Sequence, residues 1–373
     1  MNYIRLYRRA LLLLLLGISL TTCVDPTAPE FQLEDPFYLV EGRILAGEEG
    51  SEIRVRESAF REANKLFVEV SGAEVITRES GGNSVVWAEI EEKPGFYRPP
   101  ADFRAAPGQT WWTEVTFPDG TQARSEPETI PVPVALTDVR IRFAQNSVYD
   151  QGLDRFVPRF EIYGDYDDPA GTDNYYAFDY RYWEEVIACA SCFNGIYREG
   201  MCINRPRIFR YDYLCDTDEC YRITPGNQVV YGDDAFTDGV TVIDYPFGGI
   251  NFEAVGGLLV EGILLSITPD AYDYGKVIQD LTTGNAGLNA TTPAALNGNI
   301  RNLDPDGQTV LGFVQAASAS RMRAFTERSF ETGTPLPFDP VLRLEPSNGF
   351  FVPPRAPCEI EGRTSVRPEG WGG

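Results

Sequence analysis

The sequence predicts an all-β (mainly β) protein, with a small amino-terminal sandwich followed by a larger, mainly antiparallel β domain that carries one short helix. Three observations carry this prediction. Short runs of alternating apolar and polar residues recur along the chain, each bounded by Gly, Pro, Asn or Asp turn signals. No long helical periodicity interrupts them; only Ala271 to Leu281, opened by Pro269-Asp270 and closed before Gly284, reads as a helix. With 43% hydrophobic and 12% aromatic residues, the chain can bury real cores and is not a disordered acidic tail.

The first element is an address. In "RRALLLLLLGISLTTCVDP" the apolar run from Ala10 to Leu20 is shorter than the ~20 residues of a bilayer-spanning helix. Arg5, Arg8 and Arg9 precede it and small residues follow, which makes residues 1–22 a secretory signal. Cys23 directly after Thr22 resembles a bacterial lipobox, in which Gly, Ala or Ser is commoner at the preceding position. Cys23 is therefore expected to be lipidated and to tether the chain to a membrane. Residues 23–36, with Pro26, Pro29, Pro36 and several carboxylates, read as the acylated tether that lifts the folded part off the lipid.

Residues 37–130 read as a small sandwich. In "AEVITRESGGNSVVWAEI", two β-rich runs flank Gly81-Gly82-Asn83 as a hairpin. In "GQTWWTEVTFPDGTQA", Trp111, Thr113, Val115 and Phe117 share one face of a strand, and Pro118-Asp119-Gly120 supplies the turn. Trp112 points the other way, either as a ligand platform or, as preferred, as a cover for the second face. "TIPVPVAL" marks the boundary, because Pro131 and Pro133 interrupt a ladder and stiffen the link. In residues 131–373, "DVRIRF", "RFEIYGDY", "NYYAFDYRYW", "GVTVIDY", "GLLVEGILLSIT" and "TVLGFVQAAS" read as strands of the larger domain.

Composition removes several function classes. The chain has no histidine, which excludes Ser-His-Asp and Cys-His catalysis, the HExxH zinc site and imidazole general-base chemistry. There are 32 Lys+Arg against 55 Asp+Glu, a net charge of −23, and loss of the three signal arginines leaves 29 against 55, or −26. No nucleic acid partner is expected, because phosphate binding needs a basic footprint.

Six cysteines remain beyond Cys23: Cys189, Cys192, Cys202, Cys215, Cys220 and Cys358. Cys189-x2-Cys192 with Cys215-x4-Cys220 loosely resembles a four-thiolate zinc site. Export into an oxidising compartment favours three disulfides instead, among 15 possible connectivities. If all six pair, Cys358 must bridge to the 189–220 insertion.

Asp165, Asp167, Asp168 and Asp173 in "GDYDDPAGTD" form a dense carboxylate loop, but their spacing is not that of an EF-hand, and turn geometry explains them as well as calcium does. No metal and no cofactor is assigned. Two carboxylates alone suffice for a glycosidase, yet no motif nominates a pair, so no catalytic residue is assigned either.

Several phrases, in their order, resemble a known family. "FYLVEGRI", "PGFY", "PGQTWWTEVTFPDG" and the Pro-rich exit are similar to the amino-terminal half of the Bacteroidota lipoproteins catalogued as domain of unknown function 4249. "DDPAGTDNYYAF", "LNGNI", "VLGFVQAAS" and "CEIEGRTSVRPEGW" resemble its carboxy-terminal half. "CEIEGR" departs from the family pattern by carrying one Cys where two close together are common. The resemblance implies an immunoglobulin-like first domain, an outer-membrane location and proximity to TonB-dependent transporters, and no known activity. The expected function is thus a non-enzymatic surface lipoprotein serving as a binding or accessory module of TonB-dependent uptake, with a carboxylate-dependent surface hydrolase as the alternative. "NYYAFDYRYW" and the 189–220 insertion are the expected contact regions.

Overall fold

The strand Thr110–Thr116 shows how sequence pattern becomes structure. Trp111, Thr113 and Val115 are buried and their neighbours half-buried, the period-2 signature of a strand with one face on a core. The computed structural model describes residues 36–47, 50–59, 67–186, 219–282, 298–336, 358 and 362–373, with the backbone of short strands at 189–193, 195–198, 201–204, 211–215 and 344–345. The expected signal, Cys23 and the tether up to residue 35 lie outside the described residues.

The first nine strands are β1 (Tyr38–Leu45), β2 (Glu52–Ser58), β3 (Phe67–Glu69), β4 (Glu74–Glu79), β5 (Ser84–Ile90), β6 (Lys93–Arg98), β7 (Thr110–Thr116), β8 (Gln122–Ser125) and β9 (Glu128–Thr129). The turn at 80–83 joins β4 to β5 in an antiparallel hairpin, and Pro118-Asp119-Gly120 joins β7 to β8, both as the turn residues predict. Inward side chains of these strands, including Val40, Ile53, Val55, Val75, Trp87, Tyr97, Trp111 and Phe117, form one buried core. Trp112, on the outer face of β7, has the Arg124 guanidinium over its ring at 4.7 Å and donates to Glu114 Oε1 at 3.2 Å. It is covered, which fits the packing reading.

The second half contributes β10 (Leu136–Asp150), β11 (Arg155–Asp167), β12 (Tyr175–Glu185), β13 (Cys189–Phe193), β14 (Gly195–Arg198), β15 (Met201–Asn204), β16 (Tyr211–Cys215), β17 (Tyr221–Pro225), β18 (Val230–Asp233), β19 (Thr241–Asn251) and β20 (Gly256–Ile267). After β20 come helix α1 (Pro269–Thr282), then β21 (Ile300–Asn302), β22 (Val310–Arg328), β23 (Leu344–Glu345) and β24 (Arg363–Thr364). The helix spans the segment expected for it and is capped at its amino end, where Thr268 Oγ1 accepts from Ala271 N at 3.2 Å. No helix among the described residues is long and apolar enough to cross a membrane.

Strands β10, β11 and β19 make a three-stranded antiparallel sheet. Its inner side chains Val139, Phe160, Ile162, Tyr166 and Phe247 pack on Tyr176, Phe178 and Tyr180 of β12 and on Leu258, Val260 and Leu264 of β20, giving a second core. Strand β20 is buried on both faces, which explains its unbroken apolar run.

Near residue 130 the chain passes from one core to the other. Ile130 belongs to the first and Val134 to the second, and Pro131-Val132-Pro133 makes the crossing. The halves are nevertheless joined through β22, which pairs in parallel with β1 from Tyr38↔Val310 to Leu45↔Ala317 and antiparallel with β20. Its Val310, Val314 and Ala316 complete the first core, with Ile300 of β21. The small sandwich therefore draws on residues 300–316, and residues 37–373 form one unit.

Candidate binding site

On β12 the face turned toward β11 and β19 carries Tyr176, Phe178, Tyr180, Tyr182 and Glu184 in period-2 order. Tyr176 and Phe178 are core residues. At Arg159↔Asn251 the ladder between β11 and β19 reaches its last pair, and beside it a cavity of about 160 Å³ lies against Tyr180, Tyr182 and Glu184. Arg159, Gly249, Ile250 and Asn251 form one wall; Thr224, Pro225 and Asn227 form the other, and Glu253 also lines it.

The floor depends on glycines. Gly248 sits at φ +148°, and a Cβ there would lie 2.7 Å from Tyr180 Cε1; at Gly249 a Cβ would lie 3.1 Å from Arg159 Cζ. Tyr180 thus packs against bare backbone and donates its hydroxyl to Gly249 O at 3.0 Å. The Tyr180 and Tyr182 rings stack at 6.5 Å.

At the deep end, the buried Glu184 carboxylate takes Arg328 Nη1 at 2.7 Å and Arg222 Nη2 on its other oxygen. Burial alone pushes this carboxyl up, but the Arg328 and Arg222 guanidiniums outweigh burial and hold it below the usual carboxylate range. Glu184 is an ionised structural group, unsuited to donate a proton. The opposite face of β12 is occupied: Trp183 carries Arg181 and Arg323 over its ring at 5.0 and 5.1 Å, both bound to the buried Glu261, and Trp371 packs against the same cluster. Of the aromatics in "NYYAFDYRYW", only Tyr180 and Tyr182 reach the cavity.

A second, more open depression of about 460 Å³ lies in the first half, against Asn83 to Val86, Phe103 and Trp111. Its Arg104 donates to the Ala101 and Phe103 carbonyls.

The four aspartates of "GDYDDPAGTD" do not converge. Asp165 pairs with Arg140, Asp167 accepts from Thr241 Oγ1 at 2.6 Å, and Asp173 is exposed. Buried Asp168 instead meets Asp234 and Asp238, with one carboxylate oxygen from each within 4.8 Å of the others. Each is already engaged: Asp168 accepts from the Tyr176 hydroxyl and from Gly239 N, Asp234 from Asn174 N, and Asp238 from Gly171 N. The cluster staples the loop after β11 to the loop after β18. Burial pushes the Asp168 carboxyl up.

Cys358 is bridged to Cys220, 138 residues earlier, with Cα atoms 5.5 Å apart. The tie from the chain's end to the insertion is the one required if all six cysteines pair. It sits beside the β17–β24 pairing. In the backbone ladder Cys189 stands opposite Cys215; the side chains of Cys189, Cys192, Cys202 and Cys215 lie outside the described residues. Alkylation of the denatured, unreduced mature protein is expected to find no free thiol. Four reactive thiols together with bound zinc would reverse the assignment.

Arg159, Asn227, Gly249 and the Glu184–Arg222–Arg328 cluster were not singled out from sequence. One signal was present: Gly248-Gly249 inside a strand marks a close approach to backbone.

The family model described as "Domain of unknown function (DUF4249)" matches residues 24–323. No curated protein and no solved structure was found to match the chain.

Proposed function

The chain belongs to the DUF4249 family, and on that premise we propose that it is a non-enzymatic, lipid-anchored binding or accessory module of the bacterial outer membrane, acting with a TonB-dependent transporter. The carrying observation is the cavity on β12, where polar groups converge beside the Tyr180 and Tyr182 rings while its one buried carboxylate is locked between two arginines. A glycosidase needs a carboxyl held protonated opposite a second carboxylate, and Glu184 is held the other way. The anchor reading is supported by Arg5, Arg8 and Arg9, the apolar run and Cys23. Placing lipoprotein and transporter in one bilayer raises their effective concentration, so a modest interface suffices.

In cells given labelled palmitate, the wild-type chain is expected in the membrane fraction with label, and Cys23→Ala in the soluble fraction without it, since several acyl chains contribute ~0.8 kcal/mol per buried methylene. Unlabelled, soluble wild-type protein would sink the anchor. Mild-detergent extraction by a carboxy-terminal tag is expected to bring down a transporter; recovery of the lipoprotein alone, even after crosslinking in cells, would remove that partner.

A further inference from the structure

Among the described residues, Arg159 is the cation of the cavity without a carboxylate partner. Its Nη2 donates to Gly249 O, while its Nε is buried and has no hydrogen-bond partner. Among the described residues no carboxylate lies within ion-pair distance of its guanidinium, although the neighbouring arginines Arg222 and Arg328 are both paired. Its Nε, like that of Arg222, is shielded from water, so what sets Arg159 apart is the guanidinium charge without a carboxylate beside it, and a guanidinium is the side chain best suited to take one. Glycine at 249 lets that guanidinium lie against the main chain, since a Cβ there would stand 3.1 Å from both Cζ and Nη2.

Apart from Glu184, which is neutralised by its two arginines, and the exposed Glu253, the polar lining suits hydroxyls and a ring face. Asn227 and Asn251 offer amides, Thr224 a hydroxyl and Tyr182 an aromatic surface. At about 160 Å³ the space is below the roughly 300–1,000 Å³ of sites for drug-sized ligands, so the occupant is small. In a chain of net charge −23, anions are repelled at long range. An anion is held only where a local cation is free to take it.

We propose that this cavity binds a small hydroxylated carboxylate, with its carboxylate on Arg159 and its hydroxyls on Asn227 and Asn251. The inference deepens the binding role proposed above and rests on it. Calorimetric titration of the full mature chain in detergent with D-glucuronate, D-glucose and acetate tests it. Glucuronate is expected to bind at least tenfold more tightly than either glucose, which lacks the charge, or acetate, which lacks the hydroxyls. Arg159→Gln is expected to abolish glucuronate binding. Asn227→Ala, at the exposed rim, is expected to weaken it severalfold and to lower the melting temperature by at most a few degrees, since the Tyr180 hydroxyl that donates to Asn227 Oδ1 at 3.2 Å also reaches Gly249 O at 3.0 Å, which keeps the test decisive if the Arg159 variant misfolds. Equal affinity for glucuronate and glucose, no binding of glucuronate, or wild-type affinity in both variants would overturn the proposal. Transporter capture without glucuronate binding overturns this inference alone; glucuronate binding without capture overturns only the transporter association.

Discussion

Replacing Glu184 with Leu is expected to lower the unfolding free energy by about 3–5 kcal/mol, the range for removing one partner of a buried ion pair. The asymmetry of its two arginines makes the site sensitive. The Arg222 side chain is 23% exposed and can turn to water, but that of Arg328 is 2% exposed and would stay buried without a counter-charge. Arg328 also donates to Gly256 O at 3.1 Å and Gly257 O at 3.4 Å, holding the start of β20 against the end of β22. Adding Arg328→Met to Glu184→Leu is therefore expected to restore at least half of the loss, because an apolar replacement of the pair removes the stranded charge along with the contact. Urea unfolding of the soluble Cys23→Ala chain and its variants measures both steps. A single-variant loss under about 1 kcal/mol, within the range of exposed pairs, would show that water reaches Arg328 and that the deep end of the cavity is not a buried cluster.

A second large effect is a stability that falls as pH rises toward neutrality. Glu128 is buried at the start of β9 and accepts the hydroxyl of Thr268, the cap of α1. Burial pushes its carboxyl up to about 7, more than that hydrogen bond lowers it, and Asp270 pushes the same way. The folded state thus keeps a proton that the unfolded chain, at about 4.5, releases. The contribution is fully present below pH 4.5 and is lost as pH rises through 7. For this one group it amounts to roughly 2–3 kcal/mol between pH 5 and pH 8. Other carboxylates titrate alike in wild type and Glu128→Gln, so the difference between their unfolding free energies isolates the effect. Glu128→Gln is expected to gain about that amount on the wild type as pH goes from 5 to 8. A difference independent of pH would mean that Glu128 is ionised in the folded protein.

The strands of this protein were legible because a strand is a local pattern. Alternation in "TWWTEVTF" and "DVRIRF", the turn at Gly81-Gly82-Asn83 and the single helical stretch after Pro269 each need only a few neighbouring residues to be read, and each appears in the structure as the pattern implies. The prolines near residue 131 likewise mark the crossing between two cores. The sequence therefore determined the all-β class, the one described helix and the order of the strands along the chain. By elimination it also determined that Cys358 must reach the insertion if every later cysteine pairs, and Cys220 is its partner.

What alternation cannot carry is the identity of the neighbour, since a buried face is satisfied by any apolar partner of suitable shape. The parallel pairing of β1 with β22, which makes the carboxy-terminal half part of the first core, was for that reason decided only by the tertiary structure. Convergence of Asp168 with Asp234 and Asp238, in place of Asp165, Asp167 and Asp173, has the same cause: Asp168 follows the end of β11 and meets carboxylates from the loop after β18, and nothing in its own segment marks that partner. The cavity is the clearest case. Arg159, Tyr180, Asn227 and Gly249 lie on separate elements, and nothing local to any of them marks the others; they meet because the β11–β19 ladder ends where β12 continues.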